Sequence, residues 1–188
     1  MNKVVIRIAK EEDIKDILEI YAPFVTDTAI TFEYMVPSIE EFTKRTKGIM
    51  CEYPYLVAEI DGRIVGYCYA SAFHGREAYR HVAETSIYIK DEAHGIGIGR
   101  ALYEELEKLI VKQNVYTLYA CITYTEREDE YLPKTSPQFH EHMGYKKIGS
   151  HENSGYKFDR WYSVAWYEKE IKKRPEHPEK FKRFGEIS

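Results

Sequence analysis

Residues 81–113 constrain this chain more than any other segment. They read HVAETSIYIKDEAHGIGIGRALYEELEKLIVKQ. An alternating segment ends in Ile87, Tyr88 and Ile89, and a polar turn follows over 90–94. Gly95, Gly97 and Gly99 then stand at alternate positions, and from Arg100 the apolar residues take helical spacing. A strand that runs through a glycine-rich loop into a helix N-terminus aims backbone N–H groups and the positive end of a helix dipole at one place. Such a place is an anion site, most often for phosphate. Glu84, on the strand just before the loop, puts a carboxylate within reach of whatever that site holds.

The remaining composition narrows the class. At 188 residues the chain suits one domain with a sizeable core. Apolar residues make up 44% and charged residues 31%, the balance of a globular protein. No apolar run approaches the ~20 residues of a membrane helix, and the first residues, MNKVVIRIAKEED, contain no apolar stretch of a secretory signal. A net charge of -4 gives no general argument for nucleic-acid binding. Cys51, Cys68 and Cys121 are odd in number and widely spaced, which argues against a disulfide framework or structural zinc and for reduced thiols in a cytoplasmic protein. His140 and His142 diverge at a separation of two on a helix, and no HExxH occurs, so no metal site is expected. Seventeen tyrosines supply surface for a pocket or an interface as readily as for core edges.

In chain order, residues 4–8 alternate and predict a strand. Ile14, Ile17, Leu18 and Tyr21 predict an amphipathic helix over 11–22 that ends at Pro23. Residues 24–36 have no period and read as an irregular or short extended wall of a pocket. Ser38 and Glu41 form a capping box opening a helix over 39–49. Asp61-Gly62 joins strands over 55–60 and 63–71, and 72–79 is a loop. After the glycines, Leu102, Leu106, Leu109 and Ile110 share one helix face. Residues 117–122 are the next strand, and the polar run 123–135 is too long for an ordinary connection. Ser136-Pro137 predicts the start of a short helix that stops at Gly144. Residues 146–149 and 156–167 predict a last strand pair. A single domain over 1–168 is followed by a charged extension over 169–188, ordered only in part. The order β α α β β β α β α β β predicts an α/β fold with antiparallel hairpins and one parallel pair within 81–122.

The glycine run fits neither common nucleotide loop. A dinucleotide site needs GxGxxG near the first strand and an acidic residue about 20 positions later, and a P-loop needs Gly-Lys-Ser/Thr. The run His94-Gly95-Ile96-Gly97-Ile98-Gly99, followed by Arg100-Ala101-Leu102, resembles instead the pyrophosphate loop of the GNAT superfamily of acyl-CoA N-acyltransferases, with pattern Q/R-x-x-G-x-G/A between a strand and a helix. Within that superfamily, Ala78-Tyr79-Arg80-His81-Val82-Ala83-Glu84 with Ser86-Ile87-Tyr88-Ile89 is similar to phosphinothricin N-acetyltransferases and their methionine sulfoximine-acetylating relatives. So are Phe139-His140-Glu141 with Gly144-Tyr145, and Lys157-Phe158-Asp159-Arg160-Trp161 with Val164 and Trp166. Ile30-Thr31-Phe32-Glu33 is similar to the substrate-side segment of that branch, and the likeness spans about residues 3–168. Two positions depart from the pattern. His94 stands where Gln or Arg is usual, and Pro133 stands where an Asn precedes the Ser of the late helix by three residues.

The resemblance implies a GNAT fold, a central mixed and mostly antiparallel sheet flanked by helices. It also implies acetyl transfer from acetyl-CoA, as cosubstrate, to a small amino-acid-like amine by direct attack. On it, Glu84 is the general base, and His140 is an acid, a base or a hydrogen-bond partner of the substrate, with Tyr145 a second acid. Residues Ile87, Tyr88 and Ile89, then His94, Gly95, Ile96, Gly97, Ile98, Gly99, Arg100 and Ala101, are the expected cofactor-binding set. A splay between strands would free the backbone of 87–89 to pair with the pantetheine arm and supply an oxyanion donor. Phe32, Glu33, Tyr79 and Arg80 are the substrate-side candidates, Arg80 as a fork for a carboxylate. Each has a plainer reading: a solvated strand Glu for Glu84, a structural helix His for His140, a surface ion pair for Arg80, and a buried inert thiol for Cys121. The expected partners are a small-molecule amine and a second copy of the chain, with no nucleic acid and no membrane. Another amine acceptor (a polyamine, an antibiotic, a protein N-terminus) and a CoA-binding sensor without turnover remain the alternatives.

Overall fold

A computed structural model describes residues 4–126 and 128–187. Arg127, in the predicted 123–135 loop, Ser188, in the predicted extension, and residues 1–3 of the predicted domain lie outside the described residues. In chain order the elements are β1 (Val4–Ile8), α1 (Ile14–Thr26), α2 (Ile39–Met50), β2 (Tyr55–Ile60), β3 (Arg63–Ala72), β4 (Val82–Ile89), α3 (Ile98–Lys112), β5 (Thr117–Tyr124), α4 (Thr135–His142), β6 (Lys146–Lys157) and β7 (Arg160–Glu170). The strands form one sheet ordered β1-β2-β3-β4-β5-β7-β6. Neighbours pair antiparallel except β4 and β5, which are parallel. This is the α/β arrangement that the alternation of periods predicts, because the strand–helix–strand unit needs a crossover and the hairpins do not.

Alternation along each strand sorts side chains to two faces. Ala83, Leu118, Ala120 and Ile122 point to the face that α3 covers with Leu102, Leu106 and Ile110, all fully buried. Each such aliphatic side chain contributes roughly 1.5–3 kcal/mol by leaving water. Tyr55, Val57, Tyr67 and Tyr88 point to the other face, where α1 supplies Ile14, Ile17, Tyr21 and Val25 and α2 supplies Phe42. A third, small cluster joins Ala29, Leu132 and Tyr162 with Ile30, Phe32, Tyr131 and Phe158.

Several expectations are corrected. Pro23 does not end α1, which runs on to Thr26 and closes with Asp27 N–H on the Pro23 carbonyl at 2.9 Å. The missing proline donor is outweighed there by burial of Tyr21 and Val25. Only half of the capping box forms: Ser38 Oγ accepts from Glu41 N–H, while the Glu41 carboxylate turns to Arg45. α4 begins at Thr135 with Lys134 before it, so Ser136 lies inside the helix and caps nothing. The final strands are not interrupted after Gly149. β6 is continuous from Lys146, because register shifts at Lys147/Gly149 and His151/Gly155 absorb the irregular residues. The hairpin turns at Phe158 and Asp159, both at positive φ.

The residues after β7 are also tied down more firmly than composition suggests. Gln113 Nε2 donates to the Glu52 and Lys182 carbonyls at 2.7 and 2.8 Å, and Asn114 Nδ2 to the Lys180 carbonyl at 2.8 Å. Phe181 packs against Tyr53 with the Arg80 guanidinium above its ring. A charged, proline-containing segment has no period of its own, so these non-local bonds leave no signature in it.

Candidate active site

β4 and β5 pair only through Val82↔Thr117, Ala83↔Leu118 and Glu84↔Tyr119. Beyond that point β4 keeps its partner β3 as far as Gly66↔Ile89, and β5 keeps β7 as far as Tyr124↔Ser163. The two strands diverge, and the Thr85 hydroxyl takes the Tyr119 carbonyl at 3.2 Å where the ladder stops. The divergence opens a slot of about 60 Å³, lined on its edges by 85–88 and 120–123. Ser136 and His140 close it from the α4 side, and Ile30 and Leu132 close it from the other. The slot shares Ile30, Ile87, Tyr88 and Ser136 with a cleft of about 410 Å³ at the end of the sheet.

The glycine loop forms one wall of that cleft. His94, Gly95, Gly97, Ile98, Gly99 and Arg100 line it together with Ile87, Tyr88 and Ile89, while Ile96 is exposed and Ala101 already sits in α3. Gly95 and Gly97 hold φ of 76° and 88°, which an L side chain rarely adopts. Gly97 is the N-cap of α3 and offers no side-chain cap, so among the described residues the leading N–H groups beside the cleft have no side-chain acceptor. At Gly99 the constraint is contact: an added Cβ would lie 2.9 Å from the Phe139 ring, so this glycine lets α4 close against α3. The His94 imidazole does not reach for a ligand. Its Nε2 bonds the Ile89 carbonyl at 3.0 Å and ties the loop to the strand end. These are the features a pyrophosphate and its pantetheine arm need: a dipole end with free N–H groups, then an unpaired strand edge leading to a slot.

Glu84 occupies the last position of β4 paired with β5, just before Thr85, where the lining of the slot begins. It is half-buried, and its carboxylate makes no hydrogen bond or ion pair among the described residues. Burial alone pushes its pKa above the usual range for a glutamate. Its charge is felt at Tyr69 and at Cys121, whose thiol is pushed up to about 11 by desolvation and then by Glu84. Cys121 is exposed and lines the slot, contrary to the buried thiol expected.

His140 is the opposite kind of site. It is 3% exposed. Nδ1–H donates to the Ser136 carbonyl at 2.8 Å, which makes Nε2 an acceptor for the Tyr103 hydroxyl at 3.0 Å. The Tyr145 hydroxyl meets Thr85 Oγ1 at 3.1 Å behind it. Desolvation lowers the imidazole pKa to about 4. A neutral ring with both nitrogens engaged has no proton to give to the slot at rest, which bears on the acid among the three roles expected of it and leaves the base and the hydrogen-bond partner untouched. Tyr103 and Thr85 complete this network, and sequence reasoning missed both because each sits at an ordinary core position of its element.

The substrate-side candidates do not all converge. Arg80 is bonded to Glu52 and lies 3.5 Å from Glu77, with Phe181 beneath it, so it serves the C-terminal segment instead of the slot. Tyr79 packs on Phe73 and His74, and Phe73 stacks on Tyr119, the register partner of Glu84. Glu33 accepts from Tyr21 at 3.0 Å and pairs with Arg45 at 2.5 Å. The Phe32 ring packs against Gly155, where an added Cβ would clash with it. The segment that carries both is held by Lys157, which stands in the motif 157–161 but is not among the expected site residues. Lys157 Nζ, buried, donates to the Val25, Thr28 and Thr31 carbonyls at 2.7, 2.8 and 2.8 Å. Among the described residues no group of three His, Cys, Asp or Glu side chains is arranged to hold a metal, and no helix is long and apolar enough to cross a membrane.

Comparison with known proteins agrees with this geometry. The model of the family described as "Acetyltransferase (GNAT) domain" matches residues 6–166. The phosphinothricin N-acetyltransferase of Alcaligenes faecalis is 32% identical over 157 residues, covering 83% of this chain and 77% of that protein. The L-methionine sulfoximine/L-methionine sulfone acetyltransferase of Salmonella typhimurium is 25% identical over 167 residues, covering 88% and 94%. The crystal structure of a GNAT superfamily phosphinothricin acetyltransferase from Sinorhizobium meliloti in complex with AcCoA superposes with a TM-score of 0.84 at 31% identity, covering 96% of this chain and 98% of that one.

Proposed function

From the premise that this chain belongs to the GNAT acetyltransferase family and is an acetyl-CoA-dependent N-acetyltransferase, we propose that it acetylates the primary amine of a small amino-acid-like compound of the phosphinothricin or methionine sulfoximine type, with Glu84 as general base. The observation that carries the assignment is Glu84 itself: a desolvated carboxylate, unpaired among the described residues, on the residue just before Thr85, where β4 and β5 part to open a slot continuous with the glycine-loop cleft.

The cosubstrate supplies an activated acetyl thioester, and the chain's own groups supply the rest. N–H groups at the start of α3 and in the glycine loop bind pyrophosphate, with Arg100 beside them. The free edge of β4 at 87–89 aligns the pantetheine arm and offers an N–H to the oxyanion. Glu84 takes the ammonium proton directly or through one water, and its raised pKa brings it closer to its working range. The buried network of His140, Tyr103, Thr85 and Tyr145 fixes the opposite wall. On the acceptor side Phe32 and Glu33, held by Lys157, and Tyr79, through Phe73, shape the approach. The reading extends to a cytoplasmic homodimer. Its three cysteines are free, and Tyr34, Met35, Tyr156 and Trp161 are exposed, with the Tyr34 hydroxyl on the Tyr156 carbonyl and the Tyr156 and Trp161 rings in contact. A monomeric mass in light scattering would count against the dimer.

The test is a thiol-release assay with acetyl-CoA across an acceptor panel: phosphinothricin, methionine sulfoximine, methionine sulfone, a polyamine and a peptide N-terminus. The highest kcat/KM is expected on the first three. Preference for the polyamine or the peptide would replace the acceptor, and acetyl-CoA binding without turnover on any amine would replace the enzyme by a sensor.

A further inference from the structure

Leu132 stands one residue before Pro133, the position where the resemblance leads one to expect Asn. It is 2% exposed. Its side chain lines the slot but not the larger cleft, across from Ser136 and His140. Its backbone is held rigidly: Asp129 Oδ1 accepts from both Tyr131 and Leu132 N–H at 2.9 Å. Asp129 is fixed in turn by the Tyr162 hydroxyl at 2.9 Å and by Arg160 at 3.1 Å. The adjoining Tyr131 carbonyl accepts Ala29 N–H at 2.9 Å, which locks this loop to the segment that carries Ile30, the second apolar side chain on this side of the slot.

We propose that Leu132, backed by Ile30, sets the acyl-chain limit of the donor. It admits an acetyl thioester and turns away longer acyl chains. The inference rests on the acetyl-CoA reading of the cleft. A slot of about 60 Å³ holds on the order of four to six water-sized groups at roughly 10–15 Å³ each. The sulfur, carbonyl carbon, oxygen and methyl of an acetyl thioester already number four. At most one or two further groups fit, and a longer chain must displace a side chain whose backbone is pinned at Asp129 and whose neighbours Ala29 and Tyr162 are themselves buried. A close-packed wall resists such intrusion. The polar loop thus brings one leucine to the slot, in a chain whose late helix lacks the Asn of the pattern it resembles.

The test measures kcat/KM of the full chain with acetyl-, propionyl- and butyryl-CoA at a fixed acceptor, and calorimetric Kd for the same three donors. For the unaltered chain kcat/KM is expected to fall roughly 10–200-fold between acetyl- and butyryl-CoA. Leu132→Ala should raise the butyryl-to-acetyl ratio by at least ~10-fold while leaving the Kd of CoA itself unchanged. Leu132→Val should fall between the two, and it carries the test if the alanine variant melts below assay temperature. The Kd series separates the two levels of argument. If no donor turns over on any amine, the acetyltransferase reading fails, yet weaker butyryl-CoA binding relieved by Leu132→Ala would still support the size limit. Equal kcat/KM or Kd for acetyl- and butyryl-CoA in the unaltered chain, or a ratio that neither variant moves, would overturn it.

Discussion

The two sides of the slot teach different things about polar groups in a protein. On the α4 side His140, Tyr103, Thr85 and Tyr145 are buried and every polar atom they turn inward has a partner. On the Glu84 side a single carboxylate has lost part of its water and gained no partner among the described residues. A satisfied buried network contributes stability and shape, and a half-satisfied group is costly. If Glu84 is the base proposed above, that cost has a use, because a partnered carboxylate would be a poorer base. The pKa directions are alike on both sides, because both groups are desolvated and each is pushed toward its neutral form.

The sharpest break between the two sides is expected in turnover. Glu84→Gln should lower kcat by ~10²–10⁴-fold, the usual worth of a positioned base, with CoA affinity unchanged in calorimetry. Tyr103→Phe should leave kcat nearly intact, and comparable losses in both variants would erase the distinction.

Next in size is the pH dependence of stability. His140 has a folded pKa near 4 against an ordinary 6.5. The unfolded chain therefore binds more protons between those values, so stability is full above about 6.5 and declines as pH falls toward 4, by roughly 3 kcal/mol. Glu84 has the opposite sign. Its raised folded pKa makes the native state hold the proton longer, so its contribution weakens as pH rises through that range. Urea titrations from pH 4 to 7 should show a slope that flattens in His140→Gln and steepens in Glu84→Gln.

Tyr103→Phe removes the donor to His140 Nε2 and leaves a buried acceptor unpaired. A loss of about 1–3 kcal/mol is expected, readable as a lowered midpoint in thermal unfolding. The smallest effect has the other sign: Glu84→Gln should raise the melting temperature slightly, because it removes an unpartnered, half-buried charge.

The element order was legible because each period is local. Alternation gave β1, the Asp61-Gly62 turn gave β2 and β3, and the 3.6-residue repeat gave α3. The glycine loop was legible because positive φ and a bare helix start demand glycine. What failed depended on partners far away in sequence. Pro23 sits inside a helix because Tyr21 and Val25 are buried from outside it. β6 runs unbroken because β7 is there to pair with it. Arg80 is bound to Glu52, 28 positions earlier, and Lys157 reaches carbonyls more than a hundred positions away. Glu84 was found by its place before the loop, but that it is unpaired among the described residues, as a base needs, shows only in the structure.

The pH–rate profile of Glu84→Gln against the unaltered chain, measured as thiol release from acetyl-CoA on the best acceptor of the panel, tests the central claim most directly. With Glu84 as the base, kcat/KM of the unaltered chain is expected to rise with pH as its carboxyl ionises, and the variant is expected to lose both that limb and most of the turnover. Equal turnover by the variant at every pH would contradict it.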